Sequence, residues 1–455
     1  MDVLERVADA LWQPWLLGLF LLVGLWCSLC SGFFQFFGLG RWLKGSVGSL
    51  LQGRRRGREE GLTQVQALAT ALASTIGTGS IAGVATAIFF GGPGAVFWMW
   101  VSALVGLMTS FVEKTLAVKY RRRASGGWEG GPMEYLSRRL GWRGAAGWFS
   151  LWCVAASLTG GAMVQANSIS AALQAALGWD QLSVGIGVAL CTGVVILGGI
   201  GRVGRVSEKL VPAMALLFLS TGLAVILAHR EMVLPALRLI LECALTPKAL
   251  TGGGLGYAIS TALRYGVARG VFTNEAGVGS SAMAHAAADA ESPAQEGYWG
   301  MFEVFFATIL VCGVTALTIL TSGVYDPEMA LGAIEREAVT GAMTGAPLSA
   351  AAFATVFGRW GSLIVAVCLL LFAFTSLLGW SYYGERGLAY LTGSDRLRGF
   401  FRGIFLLTVV LGSVGRVTQV WALSDICNGL MAVPNLLAVA VLAPEALGEI
   451  RRDKL

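Results

Sequence analysis

The chain has 455 residues, of which 55% are hydrophobic and only 13% charged, with a net charge of +6. Soluble domains carry about 25% charged residues, so this supply cannot cover a water-exposed surface and excludes a soluble enzyme or a nucleic-acid binder. The positive balance is read instead as membrane topology, because short cytoplasmic loops collect Lys and Arg.

Apolar stretches of about 20 residues, each able to cross about 30 Å of hydrocarbon, recur from end to end. The chain therefore reads as one all-α polytopic membrane domain in the lipid bilayer with about eleven transmembrane helices. In chain order these are 13–36, 64–91, 92–118, 146–177, 182–201, 206–228, 258–286, 297–322, 361–391, 398–415 and 418–443. The first stretch follows an acidic start, Asp2 and Glu5, and leads into a basic loop, so it is expected to stay as a helix rather than leave as a signal peptide. Residues 1–40 then make an extra N-terminal helix. Cys27 and Cys30 spell C-x-x-C inside it, a match by letter only, and two histidines, His229 and His285, offer no metal cluster. No cofactor is expected.

The loop after the first span carries Arg41, Lys44, Arg54, Arg55, Arg56 and Arg58, and the loop after the third carries Lys119, Arg121, Arg122, Arg123, Arg138, Arg139 and Arg143. The opposite side is sparser, with Arg6, Arg230, Arg238, Lys248, Arg336, Arg359 and Arg416. This bias predicts a multi-pass protein of the cell membrane with its N terminus outside and its tail, 444–455, in the cytoplasm. The loop after the seventh span departs from the pattern with Asp289, Glu291 and Glu296, but acidic residues contribute little to orientation. The run Arg54 to Arg58 is also a candidate for contact with anionic lipid.

The second span, ALATALASTIGTGSIAGVATAIFF, holds Ser74, Thr75, Gly77, Thr78, Gly79, Ser80 and Gly83 at its centre. The fifth and sixth spans join at Gly199, Gly201 and Gly204, a G-x-G-x-x-G with no strand before it, which reads as a tight turn at the membrane edge. The seventh span holds Gly270, Thr273, Asn274, Glu275, Gly277, Gly279, Ser280 and Ser281. Polar groups at that depth are costly unless they face a cavity or a partner, so the second and seventh spans are expected to be broken helices. A seam of small residues would explain Gly79 and Gly83, but not Asn274 and Glu275.

Such breaks suit a zwitterion. A half-helix starting near Gly79 and Ser80 presents N–H groups and a partial positive charge to a carboxylate. One ending near Val271 and Phe272 presents carbonyls to an ammonium. With the first span set aside, the broken segments are the first and sixth of ten, where two inverted five-helix repeats, 64–228 and 258–443, would place their equivalent helices.

In the fourth span, Gln165 is placed to hydrogen-bond a substrate or to bridge two helices. In the ninth, Thr375 and Ser376 could join the carbonyls of Ala73 and Ile76 in an oxygen cage for a cation, or bond back to their own helix. Trp380 could cap a small pocket or be ordinary packing. Asp425, Asn428 and Asn435 give the last span a polar stripe, read as structural or gating.

The runs TIGTGSIAGVATAIFFGGPGAVFWMW, GGPMEYL, GVFTNEAGVGSSAMAHAAA, FAFTSLLGWSYYGE and DICNGLMAVPNLL resemble the alanine or glycine:cation symporter family over nearly the whole chain. The resemblance implies a ten-helix core similar to the bacterial leucine transporter, preceded by one extra helix. It implies sodium-driven uptake of alanine, glycine or a similar small neutral amino acid by alternating access. It also implies that Gly77, Thr78, Gly79, Gln165, Phe272, Thr273 and Trp380 surround the substrate, and that Ala73, Ile76, Thr375 and Ser376 hold Na+. The family usually has Asn at Ser80, Asn at Ala162 and Asp at Ala307, so this chain lacks oxygen ligands that its relatives carry, which leaves open a proton-coupled or differently selective transporter. A channel would need charged rings or a carbonyl filter around an axis, and none repeats here. An intramembrane enzyme using Glu275 and His285 would have them about 15 Å apart along a helix, too far for direct proton exchange.

Overall fold

The computed structural model describes residues 3–48, 62–124, 127–245, 259–336 and 338–453. The basic run Arg54 to Arg58, Lys248, Asp2 and the last two residues of the tail lie outside the described residues. Apart from one antiparallel hairpin, β1 Arg122–Ala124 with β2 Gly127–Glu129, the regular structure described is helical.

The chain begins with α1 Val3–Leu11 and α2 Pro14–Cys30, the latter started by a proline in its first turn. A broken segment follows, α3 Gln64–Thr75 and α4 Ala82–Gly91, and then α5 Gly94–Lys119. Past the hairpin, α6 runs over Arg143–Leu177, with a π-helical stretch at Ser157–Val164. Next come α7 Gln181–Ile196, α8 Gly199–Ala228 and α9 Val233–Leu245. The second broken segment is α10 Ile259–Asn274 with α11 Ala282–Ala286. It is followed by α12 Pro293–Thr321, π-helical at Phe305–Cys312. The rest is α13 Pro327–Glu335, α14 Gly345–Phe357, α15 Trp360–Thr392, α16 Arg398–Ser413 and α17 Val417–Arg452.

Seven of the described helical stretches are long and apolar enough to cross a membrane. Neither half of either broken segment is among them, because each interruption falls midway through an otherwise adequate stretch. Helix ends follow local chemistry. Thr63 accepts from the N–H of Gln66 while the Gln66 side chain returns to Thr63 N–H, a capping box that starts α3. Asp180 accepts from Ser183 N–H to start α7, and that bond holds its carboxyl below the usual value.

Some boundaries differ from the sequence reading. The turn between α7 and α8 lies at Leu197 and Gly198, so Gly201 and Gly204 are already helical. Residues 229–257 and 323–360, read as loops, contain α9, α13 and α14, whose apolar runs are too short to span but pack on the helices beside them. The tail is helical to Arg452, held by Lys119 to Glu445 at 3.0 Å and to Glu449 at 2.9 Å.

Helix packing is tight where the π-helical part of α6 meets α15. A Cβ on Gly161 would lie 2.4 Å from Trp380 Cβ, a contact no rotamer relieves. Gly161→Val is therefore expected to cost about 1–3 kcal/mol or more, read as a drop in the apparent melting temperature of the purified protein.

Candidate functional site

The first break is written into STIGTGS. Ser74 and Thr75 both donate to the Ala71 carbonyl, competing with the helix ladder as hydroxyl side chains do. Ile76, at φ −85° and ψ 73°, leaves helical geometry, and Gly77 is extended. Thr78–Ser80 form one 3-10 turn before α4 begins. Ser80 N–H donates to the Gly77 carbonyl at 3.1 Å, so it is not a free donor as the sequence reading had it. At this end Thr78 gives its N–H to Gln165 Oε1 at 3.3 Å, while Gly79 and the first turn of α4 have N–H groups left to give.

The second break comes at FTNEAGVGSS. α10 continues to Asn274, two residues past Phe272, and the Val271 carbonyl accepts from Glu275 N–H at 2.9 Å. Val271 is therefore not the open carbonyl expected. The N–H of Ala276, which a continuing helix would give to Phe272, goes instead to Asn274 Oδ1 at 3.0 Å. The chain then needs the left-handed region repeatedly: Glu275 at φ 52°, Gly277 at 92° and Gly279 at 87°. Glycine meets that demand without strain.

These two interruptions face each other across a cavity. Gly77, Gly79, Gln165, Phe272 and Trp380, all named from the sequence, line it together. About 20 Å³ of it is open to the centre of a water molecule, little more than the 10–15 Å³ that one water occupies. Thr78 and Thr273 stand behind this wall. A Cβ on Gly79 would meet Phe272 Cδ1 at 2.8 Å and Thr273 Cγ2 at 3.2 Å. Thr273 donates to the Gly270 carbonyl and lies 3.3 Å from the Thr308 hydroxyl.

Of the residues proposed to hold a cation, Thr375 comes within reach of the Ala73 carbonyl. Thr375 Oγ1 lies 3.5 Å from the Ala73 carbonyl and 3.0 Å from that of Phe372, and Ser376 donates to the Ser74 carbonyl at 3.1 Å. Ile76 is the residue at which the chain turns out of α3. All these oxygens are neutral and buried. Of the three positions where the resemblance implies a different residue, Ala162 and Ala307 lie in the two π-helical stretches and Ser80 in the 3-10 turn. Thr315 donates to the Ser80 carbonyl at 2.7 Å.

Trp12, Glu275 and Asn428 are among the wall residues that were not assigned to the site from sequence. Trp12, between α1 and α2, lines the cavity and donates its indole N–H to the Asp425 carbonyl at 2.9 Å. A tryptophan there reads as part of the aromatic belt. Glu275 also lines it and accepts from the Ser280 hydroxyl. Asn428 completes the wall from the polar stripe of α17. At the end where α4 and α10 lie, Arg269 pairs with Asp425 at 3.7 Å, its guanidinium 4.9 Å from the Trp421 ring centre. At the other end, Leu62 exchanges backbone hydrogen bonds with Ala287 and Asp289, at 3.1 and 2.8 Å.

The model of the sodium:alanine symporter family matches residues 1–453. An uncharacterized transporter of Haemophilus influenzae is 40% identical over 454 residues, covering 99% of this chain and 95% of its own. A sodium/alanine symporter of Methanococcus maripaludis, AgcS, is 37% identical over 467 residues, covering 100% and 98%. Among solved structures, MhsT in complex with L-phenylalanine superposes with a TM-score of 0.56 at 12% identity, covering 87% of this chain and 99% of that one. At that identity the likeness concerns the fold, which is that of the leucine-transporter class.

Proposed function

The chain belongs to the sodium:alanine symporter family, and from that premise we propose that it takes up alanine, glycine or a similarly small neutral amino acid together with Na+ by alternating access. It is a multi-pass membrane protein of an amino-acid and cation symport family, not an enzyme. The observation that carries the finer reading is that two interrupted helices bring Gly77, Gly79, Gln165, Phe272 and Trp380 around one small cavity.

In this reading the substrate carboxylate takes the N–H of Gly79 at the positive end of α4, and the ammonium takes the carbonyl of Phe272 and the carboxylate of Glu275. A charged solute thus exchanges water for fixed dipoles, which offsets the cost of leaving water. Na+ sits among Thr375, Ser376 and the carbonyls of Ala73 and Ile76, next to the carboxylate-binding turn, so each ligand favours the geometry the other needs. The cage lies beside Gly77: a Cβ there would be 3.2 Å from Ser376 Oγ and from Gln165 Oε1. One such cage without a carboxylate suits coupling to a single sodium ion, in keeping with the oxygens missing at Ser80, Ala162 and Ala307.

The two ends of the cavity supply the alternating barriers. The Arg269 and Asp425 pair closes the end that the cation bias places outside. The bonds of Leu62 to Ala287 and Asp289 close the cytoplasmic end and must break for release there. The repeats 64–228 and 258–443 are proposed to rock against each other around the site.

Labelled alanine uptake into proteoliposomes, with and without an inward sodium gradient, tests the reading. Uptake is expected only with the gradient, and equal uptake in both would remove sodium coupling. The bulk of Trp380 sets the upper size limit, so Trp380→Ala is expected to admit larger neutral amino acids. A competition panel reads this as inhibition by leucine or glutamine about tenfold stronger than in the wild type, a difference of ~1.4 kcal/mol. An unchanged panel would assign Trp380 to packing alone.

A further inference from the structure

Between the cavity and the end sealed at Leu62, the protein interior holds a connected set of ionisable groups. Glu113 and Lys114 on α5, His285 on α11, and Glu296 and Glu303 on α12 all have side chains with no exposed surface. Lys114 Nζ lies 3.5 Å from both Glu113 Oε2 and Glu303 Oε2. His285 bridges two carboxylates, with Nδ1 2.6 Å from Glu296 Oε2 and Nε2 3.3 Å from Glu303 Oε2. Glu303 Oε2 also accepts from the Ser281 hydroxyl at 3.4 Å. The Ser280 hydroxyl donates to Glu275 in the cavity wall, so two serines adjacent in the chain engage the cavity carboxylate and the buried set, one each. At the far end, Arg121 faces Glu296 and Asp289 and donates to the carbonyls of Ala286 and Ala288.

The remaining groups facing this set do not balance it. Glu113 Oε1 accepts from Gly277 N–H and Asn435 Nδ2, and Glu113 is also faced by Tyr135 and the Cys27 thiol, both neutral as acids. Tyr383 of α15 faces Glu275 and Glu303. Glu129 of the hairpin is engaged by Arg122, Arg386 and Arg398 instead, and Tyr298 faces Arg41 and Asp453. With His285 neutral and its proton on Nδ1, Glu113, Glu275, Glu296 and Glu303 all ionised would oppose only Lys114 and Arg121 at the rim, leaving an excess of negative charge uncompensated. An unpaired charge in this interior costs several kcal/mol. Glu113 Oε2, Glu296 Oε1, Glu303 Oε1 and Lys114 Nζ are, in addition, buried without a hydrogen-bond partner.

We infer that this cluster is a proton site, separate from the sodium cage, which holds a proton while Glu275 lacks a cationic partner and releases it toward Arg121 and Asp289 when the substrate ammonium arrives. The inference rests on the substrate pose proposed above. The proton leaves Glu275 through the hydroxyls of Ser280 and Ser281 to Glu303. The O–H bond at Glu303 Oε2 then breaks as a bond to His285 Nε2 forms. The resulting imidazolium gives its Nδ1 proton to Glu296 Oε2, from which it reaches water at Arg121. Each transfer moves one proton and no electrons, and the ring returns to its starting tautomer by reversal when the substrate departs.

Two measurements on the full-length protein test this. Infrared spectra of the substrate-free wild type in lipid should contain a protonated carboxylic acid band at neutral pH, diminished in Glu275→Gln or Glu303→Gln. Addition of L-alanine in sodium to weakly buffered protein should release about one proton per molecule bound, read with a pH dye, and His285→Gln should bind alanine while releasing several-fold fewer protons. Absence of the infrared band in the wild type overturns the site, and so does alanine binding without proton release. If alanine does not bind at all, the substrate pose falls, while the infrared measurement still decides the proton site. If the variants do not fold, the two wild-type measurements decide it alone.

Discussion

Gly79→Val is expected to reduce sodium-driven alanine uptake by about 100-fold or more, with the purified protein still folded. A first side-chain carbon at this position already lies 2.8 Å from Phe272 Cδ1 and 3.0 Å from Cε1, and two methyl groups beyond it would fill the cavity where the carboxylate is proposed to lie. Overpacking costs about 1–3 kcal/mol, and losing a hydrogen bond to a charged group about 1.5–3 kcal/mol more. Together these give ~3 kcal/mol or more, hence the expected loss. The variant should still purify as a folded protein, with an apparent melting temperature lowered by the contact with Phe272, because the rest of the added volume enters space that the substrate would occupy. Uptake retained within a few-fold would mean that the carboxylate does not approach this backbone.

The double variant Thr375→Ala, Ser376→Ala is expected to abolish the dependence on sodium. Uptake in sodium should fall to the level in choline, a loss of about tenfold or more when two hydroxyl ligands worth roughly 1 kcal/mol each are removed. As described, the Thr375 hydroxyl is within reach of the carbonyls of Ala73 and Phe372, and that of Ser376 donates to Ser74. The same oxygens therefore either satisfy one another or turn onto a cation. Thr375→Ser keeps the hydroxyl and should keep coupling. Sodium dependence surviving in the double variant would move the ion elsewhere, and the set around Ser80, Thr273 and Thr308 would be the place to look.

The two breaks were legible because glycine and hydroxyl residues at mid-membrane have no inexpensive bland explanation. Ser74, Gly77, Asn274 and Gly277 mark the interruptions in sequence and occupy them in the structure. The exact donors and acceptors were not legible. Whether Ser80 N–H or Gly79 N–H is free depends on a single 3-10 turn, and whether Val271 or Phe272 keeps an open carbonyl depends on the Asn274 side chain. Trp12 escaped assignment because nothing in its own neighbourhood announces a contact more than 400 residues away along the chain, with Asp425. The buried set at Glu113, Lys114, His285, Glu296 and Glu303 was hidden for a related reason. Glu113 and Lys114 sit near the end of an apolar helix and read as interfacial, and only tertiary packing brings them to α11 and α12.

The helices α9, α13 and α14 show the opposite limit. Their apolar stretches are shorter than the bilayer, so length alone assigned them to loops, although they pack against α4, α5, α8 and α15 as part of the helical body. Hydropathy reports which stretches can cross the membrane. It does not report which short helices fill the spaces between them.

The most direct test is a structure of this protein determined with L-alanine in sodium. The alanine carboxylate should lie within hydrogen-bond distance of Gly79 N–H, its ammonium at the Phe272 carbonyl and Glu275, and a cation density among Thr375, Ser376, Ala73 and Ile76. Alanine bound away from both interruptions, or bound with α3 and α4 joined into one continuous helix, would contradict the mechanism.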